Sequence, residues 1–400
     1  MTNWEEMHIK DMCSFVSRGI TPKYSEDGIL VINQKCIRDN RVDLKPCKFT
    51  SKDTKIKNEK YVRYGDILIN STGSGTLGRV AIYRHKNIVV TADGHVTIIH
   101  TADNINSIFL GYYLHSIEKI IENLGTGSTN QTELSTNDLK RLKLKVPDLE
   151  TQTKIADILS AYDDLIENNN KRIAILEKAA QELYKEWFVR FHFPGYKKAK
   201  FENGLPVGWE RKKISTYYNT CSGGTPSRSK SEYFENGVYP WVKTGEIKDS
   251  IIIETEEQIT DQAVKKSSAK LLPMNCVAMA MYGVNIGMLA YFDGIKTCNQ
   301  ACCVFSDKRD FSSKHYLFQY LFSIREYLLL ISFGAAQQNL SQDLIKKVKI
   351  IMPTDDIVMA FEEKVNAIYN SIRNLMYKNQ NLAKQRDLLL PRLMSGKLEV

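Results

Sequence analysis

The run Gly73-Ser74-Gly75-Thr76-Leu77-Gly78 matches the G-x-G-x-x-G pattern by which a glycine turn cradles a dinucleotide pyrophosphate. That chemistry needs a helix to begin at once, so that its first amides face the phosphates. Here Arg79 to Tyr83 continues as a β-rich run, and the later counterpart Tyr282-Gly283-Val284-Asn285-Ile286-Gly287 lacks the first two glycines. The turn is therefore read as one that holds Ser, Thr, Tyr and Asn side chains against a ligand. Pro147-Asp148 could open a nuclease motif, but no acidic-x-Lys follows at the right spacing, Glu246-Ile247-Lys248 being too distant. No Asn/Asp-Pro-Pro-Tyr/Phe segment is present to hold a flipped base for methyl transfer. The seven histidines show no zinc spacing, and no G-x-x-x-x-G-K-[ST] loop appears for ATP. The expectation is a non-catalytic chain with no cofactor or metal of its own.

A different chemistry is offered by two polar loops, Gly125-Thr126-Gly127-Ser128-Thr129-Asn130-Gln131-Thr132 and Gly334-Ala335-Ala336-Gln337-Gln338-Asn339. Amides pair bidentately with adenine, and small hydroxyl side chains serve phosphates or bases. Plain turns have the same composition, so the loops alone do not decide.

The elements that must position these loops come in two copies. The sequence nearly repeats itself at a spacing of about 205 to 210 residues. Trp4-Glu5 with Ile9 answers to Trp209-Glu210 with Ile214, and Ser17 to Pro22 answers to Ser222 to Pro226 with one residue inserted. Leu77-Gly78 with Ala81 matches Ile286-Gly287 with Ala290, and Leu134-Ser135 through Pro147 matches Leu340-Ser341 through Pro353. Short β-rich runs such as Asp66 to Ile69 and Val80 to Tyr83 flank glycine turns, and helical patterns cover Ile108 to Asn123 and Ser313 to Phe322.

After Pro147 and Pro353 the apolar period changes. Ile155, Leu159, Tyr162, Ile166, Asn169, Ile173, Leu176, Ala180, Leu183 and Trp187 follow a four-three spacing. Phe361, Val365, Ile368, Ile372, Leu375, Asn379, Leu382, Arg386, Leu389 and Leu393 repeat it 206 residues later. This is a coiled-coil seam. The first stretch carries net charge −3 and the second +3, which favours mutual docking, although each helix could instead pack on its own domain. Asn169 and Asn379, polar on the seam, are candidates to fix register.

Composition sets the outer bounds. Four hundred residues suggest two domains with connecting elements, and 43% hydrophobic content is that of a folded chain. The net charge of +9 resides in the repeated globular units, +5 over 1–147 and +6 over 197–353, as expected if they grip phosphates. A solvated basic surface gives the same balance. The eight cysteines form no C-x-x-C pair and are read as reduced thiols of a cytoplasmic protein. The polar, charged opening from Met1 to Asp11 does not read as a signal peptide. Leu271 to Phe292 is uncharged, but its Pro273, Asn275, Gly283, Asn285 and Gly287 argue against a membrane span.

Taken together, several runs resemble the specificity subunit of type I restriction-modification systems. They are Gly224-Thr225-Pro226-Ser227, then Gly237 and Pro240-Trp241-Val242-Lys243-Thr244-Gly245-Glu246-Ile247, the opening Leu205-Pro206-x-Gly208-Trp209, and the loop-to-helix segments Thr129-Asn130-Gln131 through Ile155 to Leu159 and Gln337-Gln338-Asn339-Leu340-Ser341. The resemblance covers essentially the whole chain. It implies an α+β fold with two mixed target-recognition domains in pseudo-twofold repeat, separated by a long antiparallel two-helix coiled coil. The domains would be 1–147 and 197–353, the spacer helices 148–196 and 354–400. It further implies binding of a bipartite, asymmetric double-stranded DNA site and docking of two methyltransferase subunits and motor-nuclease subunits. S-adenosylmethionine, ATP and Mg would reside on those partners. The first unit departs from the pattern, with Val31-Ile32-Asn33-Gln34 where the second has Pro240-Trp241-Val242-Lys243.

For DNA contact the sequence offers Thr21, Arg38, Ser74, Arg79, Asn130 and Gln131 in the first unit. In the second it offers Thr225, Ser227, Arg228, Lys243, Thr244, Tyr282, Asn285, Gln337 and Gln338. The competing expectations are a coiled-coil scaffold that binds only protein and a self-sufficient DNA-modifying enzyme.

Overall fold

The computed structural model describes residues 4–127, 132–332 and 339–400, in two compact units: 1–167 with 380–400, and 168–379. In the first unit the β-branched runs pair as an antiparallel sheet in the order Cys13–Arg18, Val96–Thr101, Ile67–Asn70, Val80–Ile82. Side chains alternate across its two faces with period two. Ile67, Ile69, Val80, Ile82 and Ile99 join a core with Phe109 and Leu110, from the helix Ser107–Ser116. Leu68, Ala81, Val96 and Ile98 point the other way, into a core with Ile32, Val90 and Ala92. Those last three come from a second sheet, in which Val90–Ala92 runs parallel to Ile29–Ile32. Both faces are covered, which is why every residue of Ile67–Asn70 and Val80–Ile82 is buried.

The second unit repeats this plan. Its sheet runs Tyr218–Ser222, Cys302–Asp307, Val277–Ala280, Leu289–Phe292, with a further strand Ser250–Ile252 parallel to Leu289–Phe292. Val277, Met279, Leu289 and Tyr291 face one core, and Ala278, Ala280, Ala290 and Phe292 the other. A second sheet again holds a parallel pair, Tyr239–Val242 with Thr297–Cys298. The uncharged stretch Leu271 to Phe292 is thus largely a buried hairpin. Among the described residues no helix is long and apolar enough to cross a membrane. The expected helix Ile108 to Asn123 is two helices, Ser107–Ser116 and Glu118–Asn123, broken at Ile117; Ser313 to Phe322 is the helix Lys314–Ser323.

The two long helices are Leu149–Tyr184 and Asp355–Met394. At 1.5 Å per residue they measure about 54 and 60 Å. Asp148 caps the first: its carboxylate accepts from the Thr151 backbone N–H and hydroxyl, each at 3.0 Å, so this acid serves a helix start. Trp187, placed on the seam by sequence, lies one turn beyond the regular helix, in a π-helical turn at Lys185–Val189. Pro391 lies in the last turn of the second helix, so the bond it removes and any bend it causes leave only three helical residues beyond it.

Within each unit the helices pair antiparallel. In the second unit Asn169 donates to Asn379 at 2.8 Å, Asn379 donates to Asn170, and Trp187 packs on Phe361 with ring centroids 5.8 Å apart. In the first, Asp163 meets Arg386, while Ile155 and Leu159 share a core with Leu390, Leu393 and Met394. Apolar packing outweighs the opposed net charges of the helices. Each fully buried Ile or Leu is worth about 1.5–3 kcal/mol, an exposed ion pair at most about 1 kcal/mol. Asp163 is the exception, being 6% exposed with three guanidiniums around it. Burial opposes its charge. The Tyr112 hydroxyl at 2.5 Å, Arg386 at 2.5 Å and Arg41 at 3.4 Å outweigh that and hold its carboxyl below the usual range. The position 206 residues after Asp163, in the second unit, is Tyr369, whose hydroxyl accepts from Gln319 at 2.9 Å.

Candidate nucleic-acid interface

In each unit, turns from distant parts of the chain converge at one end of the main sheet. In the first, Gly19 N–H donates to Val96 O, Ile20 N–H to Ala92 O, and Ser71 N–H to His95 O. Asp93 N–H reaches Ile32 O, the Asn70 amide reaches Gln34 O, and Leu134 N–H reaches Ser71 O. The segments Ser17 to Thr21, Asn33 to Lys35, Ser71 to Thr76, Asp93 to His95, and Glu133 to Leu134 therefore form one polar surface. Glycine is needed where these turns touch: a Cβ on Gly19 would sit 2.0 Å from the Ala92 carbonyl oxygen.

The second unit makes four of these contacts again with different side chains. Gly224 N–H donates to Cys298 O, Met281 N–H to Ala301 O, Asn299 N–H to Val242 O, and Leu340 N–H to Met281 O. A Cβ on Gly223 would lie 2.0 Å from the Cys298 carbonyl oxygen, the same constraint as at Gly19. Matching Asx turns support the two loops: Asp93 accepts from His95 N–H at 2.9 Å, Asn299 from Ala301 N–H at 3.1 Å.

Several residues singled out from sequence meet here. Thr21 and Ser74 are exposed on the first surface. Arg79 donates to Gly75 O at 2.9 Å and so braces the turn that carries Ser74. A strand, Val80–Ile82, follows this turn where pyrophosphate binding would need a helix. Thr225 bonds Gln300, Tyr282 is exposed, and Ser227 bonds Ser229 at 2.8 Å on the adjoining loop. Asn285 donates to the carbonyls of Thr244, Gly245 and Ile247 at 3.0, 3.2 and 3.0 Å, bolting the glycine turn to the turn after Lys243. Arg228 and Lys243 both bind Glu257, at 3.1 and 3.0 Å, and Lys243 also binds Glu256 at 2.7 Å. Hydrogen bonds to those carboxylates raise both cations above their usual range. The Arg228 guanidinium also lies over the Phe234 and Trp241 rings, 4.5 and 5.0 Å from their centroids.

Arg38 is placed elsewhere. It belongs to the hairpin Ile37–Val42, whose return strand carries Arg41 to Asp163 of the first long helix. Asn130, Gln131, Gln337 and Gln338 lie outside the described residues. Sequence reading missed Arg18, Gln34, His95, Glu133 and Gln300. Arg18 bonds Gly94 O at 3.0 Å, Leu134 O at 2.7 Å and Glu133 at 2.8 Å; burial lowers its pKa although Glu133 opposes the shift. Gln34 donates to Thr72 O at 2.8 Å, and the Thr72 hydroxyl contacts His95 Nδ1 at 2.8 Å. In the structure Gln34 stands where Thr244 does, each opening a short turn after Asn33 and Lys243, one residue off the register read from sequence; a repeat aligned in this register was the signal that could have found it. No group of three metal-ligating side chains occurs among the described residues.

A family model for the type I restriction modification DNA specificity domain matches residues 1–178 and 206–373. The MjaIX specificity subunit of Methanocaldococcus jannaschii is 31% identical over 353 residues, covering 84% of this chain and 78% of that protein. The HindI specificity subunit of Haemophilus influenzae is 24% identical, with the whole of both chains covered. Among solved structures, the type I restriction-modification S subunit from M. genitalium superposes with a TM-score of 0.58 at 15% identity, covering 98% of this chain and 96% of that one; it supports the fold alone. The chain belongs to the family of DNA specificity subunits of type I restriction-modification systems.

Proposed function

We propose that the chain is a non-catalytic reader of a split, asymmetric duplex DNA site, each unit contacting one half through the turns gathered at its sheet end. The observation that carries this reading is that both units assemble the same turns by the same backbone bonds, yet line them differently. Gln34, Thr72, His95 and Ser74 line the first, and Lys243, Thr244, Tyr282, Asn285 and Gln300 the second. One frame with two linings suits two different half-sites. Amides and hydroxyls read base edges, and Lys and Arg engage phosphates. Lys243 and Arg228 must exchange a carboxylate for a phosphate to do so. The paired helices set the gap between half-sites and, with neighbouring surfaces, dock two methyltransferase subunits, to which motor-nuclease subunits are added. S-adenosylmethionine, ATP and Mg belong to those partners.

The test is selection from random duplexes by the full chain bound to its methyltransferase partner. Two short specified blocks separated by an unspecified gap are expected. A single uninterrupted block, or no preference, would overturn the reading, and methyl transfer by the chain alone would overturn its non-catalytic assignment.

A further inference from the structure

The glycine turn of the second unit carries Val284 at its tip, a residue 96% exposed, near Tyr282 at 37%. A fully exposed apolar side chain on a loose loop is unremarkable. This one stands on a braced turn. Ile286 N–H donates to Gly283 O, Met288 N–H to Asn285 O, and Gly287 N–H to Ala280 O, while Asn285 is fixed by three carbonyls of the neighbouring turn. The tip is held before any ligand arrives, so little conformational entropy remains to be lost there on binding.

The surroundings are bare. A Cβ added at Gly283 or at Gly245 would meet nothing within 4 Å, and Gly245 belongs to the turn that Asn285 grips. The position in the first unit that aligns with Val284 is Gly75, where a Cβ would likewise meet nothing within 4 Å. The two units thus hold the same projecting turn, one ending in a valine and the other in Ser74-Gly75. An isopropyl group flanked by side-chain-free backbone leaves room for a flat polar edge to approach closely. In the major groove the single apolar feature of a base-pair edge is the thymine C5-methyl group.

We propose that Val284 reads the C5-methyl group of a thymine in the half-site held by the second unit, an inference that rests on the DNA-reading function proposed above. Each thymine of that half-site is replaced in turn, on either strand, by deoxyuridine, which removes the methyl and leaves base pairing intact. Binding of the full chain with its methyltransferase partner is then measured. Loss of one buried methyl is expected to weaken wild-type binding about fourfold at one position. Val284→Ala and Val284→Ser, which disturb no contact within the fold, are expected to bind the thymine site about fourfold less tightly and to lose the deoxyuridine effect there. First half-site preferences should stay unchanged. Specific binding with no deoxyuridine effect in the second half-site, an effect that persists in both variants, or a second half-site without any thymine overturns the assignment and leaves the reading function standing. Absence of sequence preference in the wild-type complex overturns both.

Discussion

Asp163→Ala should be among the most damaging single substitutions in the first unit. It empties the centre of a cluster in which Arg386 is 12% and Arg84 18% exposed, and in which the Tyr112 hydroxyl donates to the lost carboxylate. Breaking one side of a buried ion pair costs about 3–5 kcal/mol, because the abandoned cation stays desolvated. Arg41, at 36% exposure and 3.4 Å, adds little to that total. For a unit of this size the loss corresponds to a fall in Tm of about 10 °C. Thermal unfolding of the full chain measures it, and hydrogen exchange over residues 380–394 assigns it to the first unit. Asp163→Leu combined with Arg386→Met should recover most of the loss, since an apolar pair of similar volume avoids the desolvation cost. The pH dependence has a definite sign. The Asp163 carboxyl is held below its usual value, so its contribution is complete above about pH 4 and fades as pH falls further. Wild type and Asp163→Asn should therefore converge in strong acid. A cost below about 1 kcal/mol for Asp163→Ala, or a double variant no more stable than the single, would refute the reasoning.

Asn285→Ala frees three carbonyls and should cost about 1–3 kcal/mol while relaxing selection at the second half-site alone, measured by unfolding and by random-duplex selection. Gln34→Ala, which removes the bond that holds Thr72 and with it the support of the residue touching His95, should alter preference only in the first half-site in the same assay. Seven residues inserted into both long helices at matched positions add about 10 Å, and so should widen the gap by about three base pairs with both half-sites unchanged. Altered half-sites in that experiment would contradict the division of labour between turns and helices.

The helix seam and the glycine turns were legible because each is written in local spacing, and the repeat because the same local patterns recur in the same order about 205 to 210 residues later. Asn169 and Asn379 stood out as polar residues on an apolar stripe, and they do meet. Arg18 and Glu133 did not stand out. They are separated by more than a hundred residues, and only the pairing of Cys13–Arg18 with Val96–Thr101 and the return of Leu134 to Ser71 bring them together. The same limit explains Arg38. It was offered for DNA contact, and the structure places it on a hairpin whose tight turn at Asp39 and Asn40, with φ of 50° and 55°, brings Arg41 to Asp163 rather than to the gathered turns. Asp148 showed the reverse case, an acid in a suggestive dipeptide whose work is to start a helix.

Glu257 gives the second unit the character of an ion exchanger. In the free protein it occupies both Arg228 and Lys243, so these cations carry a resident anion that is covalently part of the chain. Under the DNA-reading function proposed above, a polyanion binding there displaces a carboxylate before it gains a phosphate contact. Fewer condensed counterions are then released per net bond formed, and the salt dependence of binding is shallower than a count of basic residues suggests. Weak, sequence-blind association is filtered out most, because it offers no base contacts to offset the exchange. On this view Glu257→Gln strengthens attachment to any duplex and blunts discrimination between them.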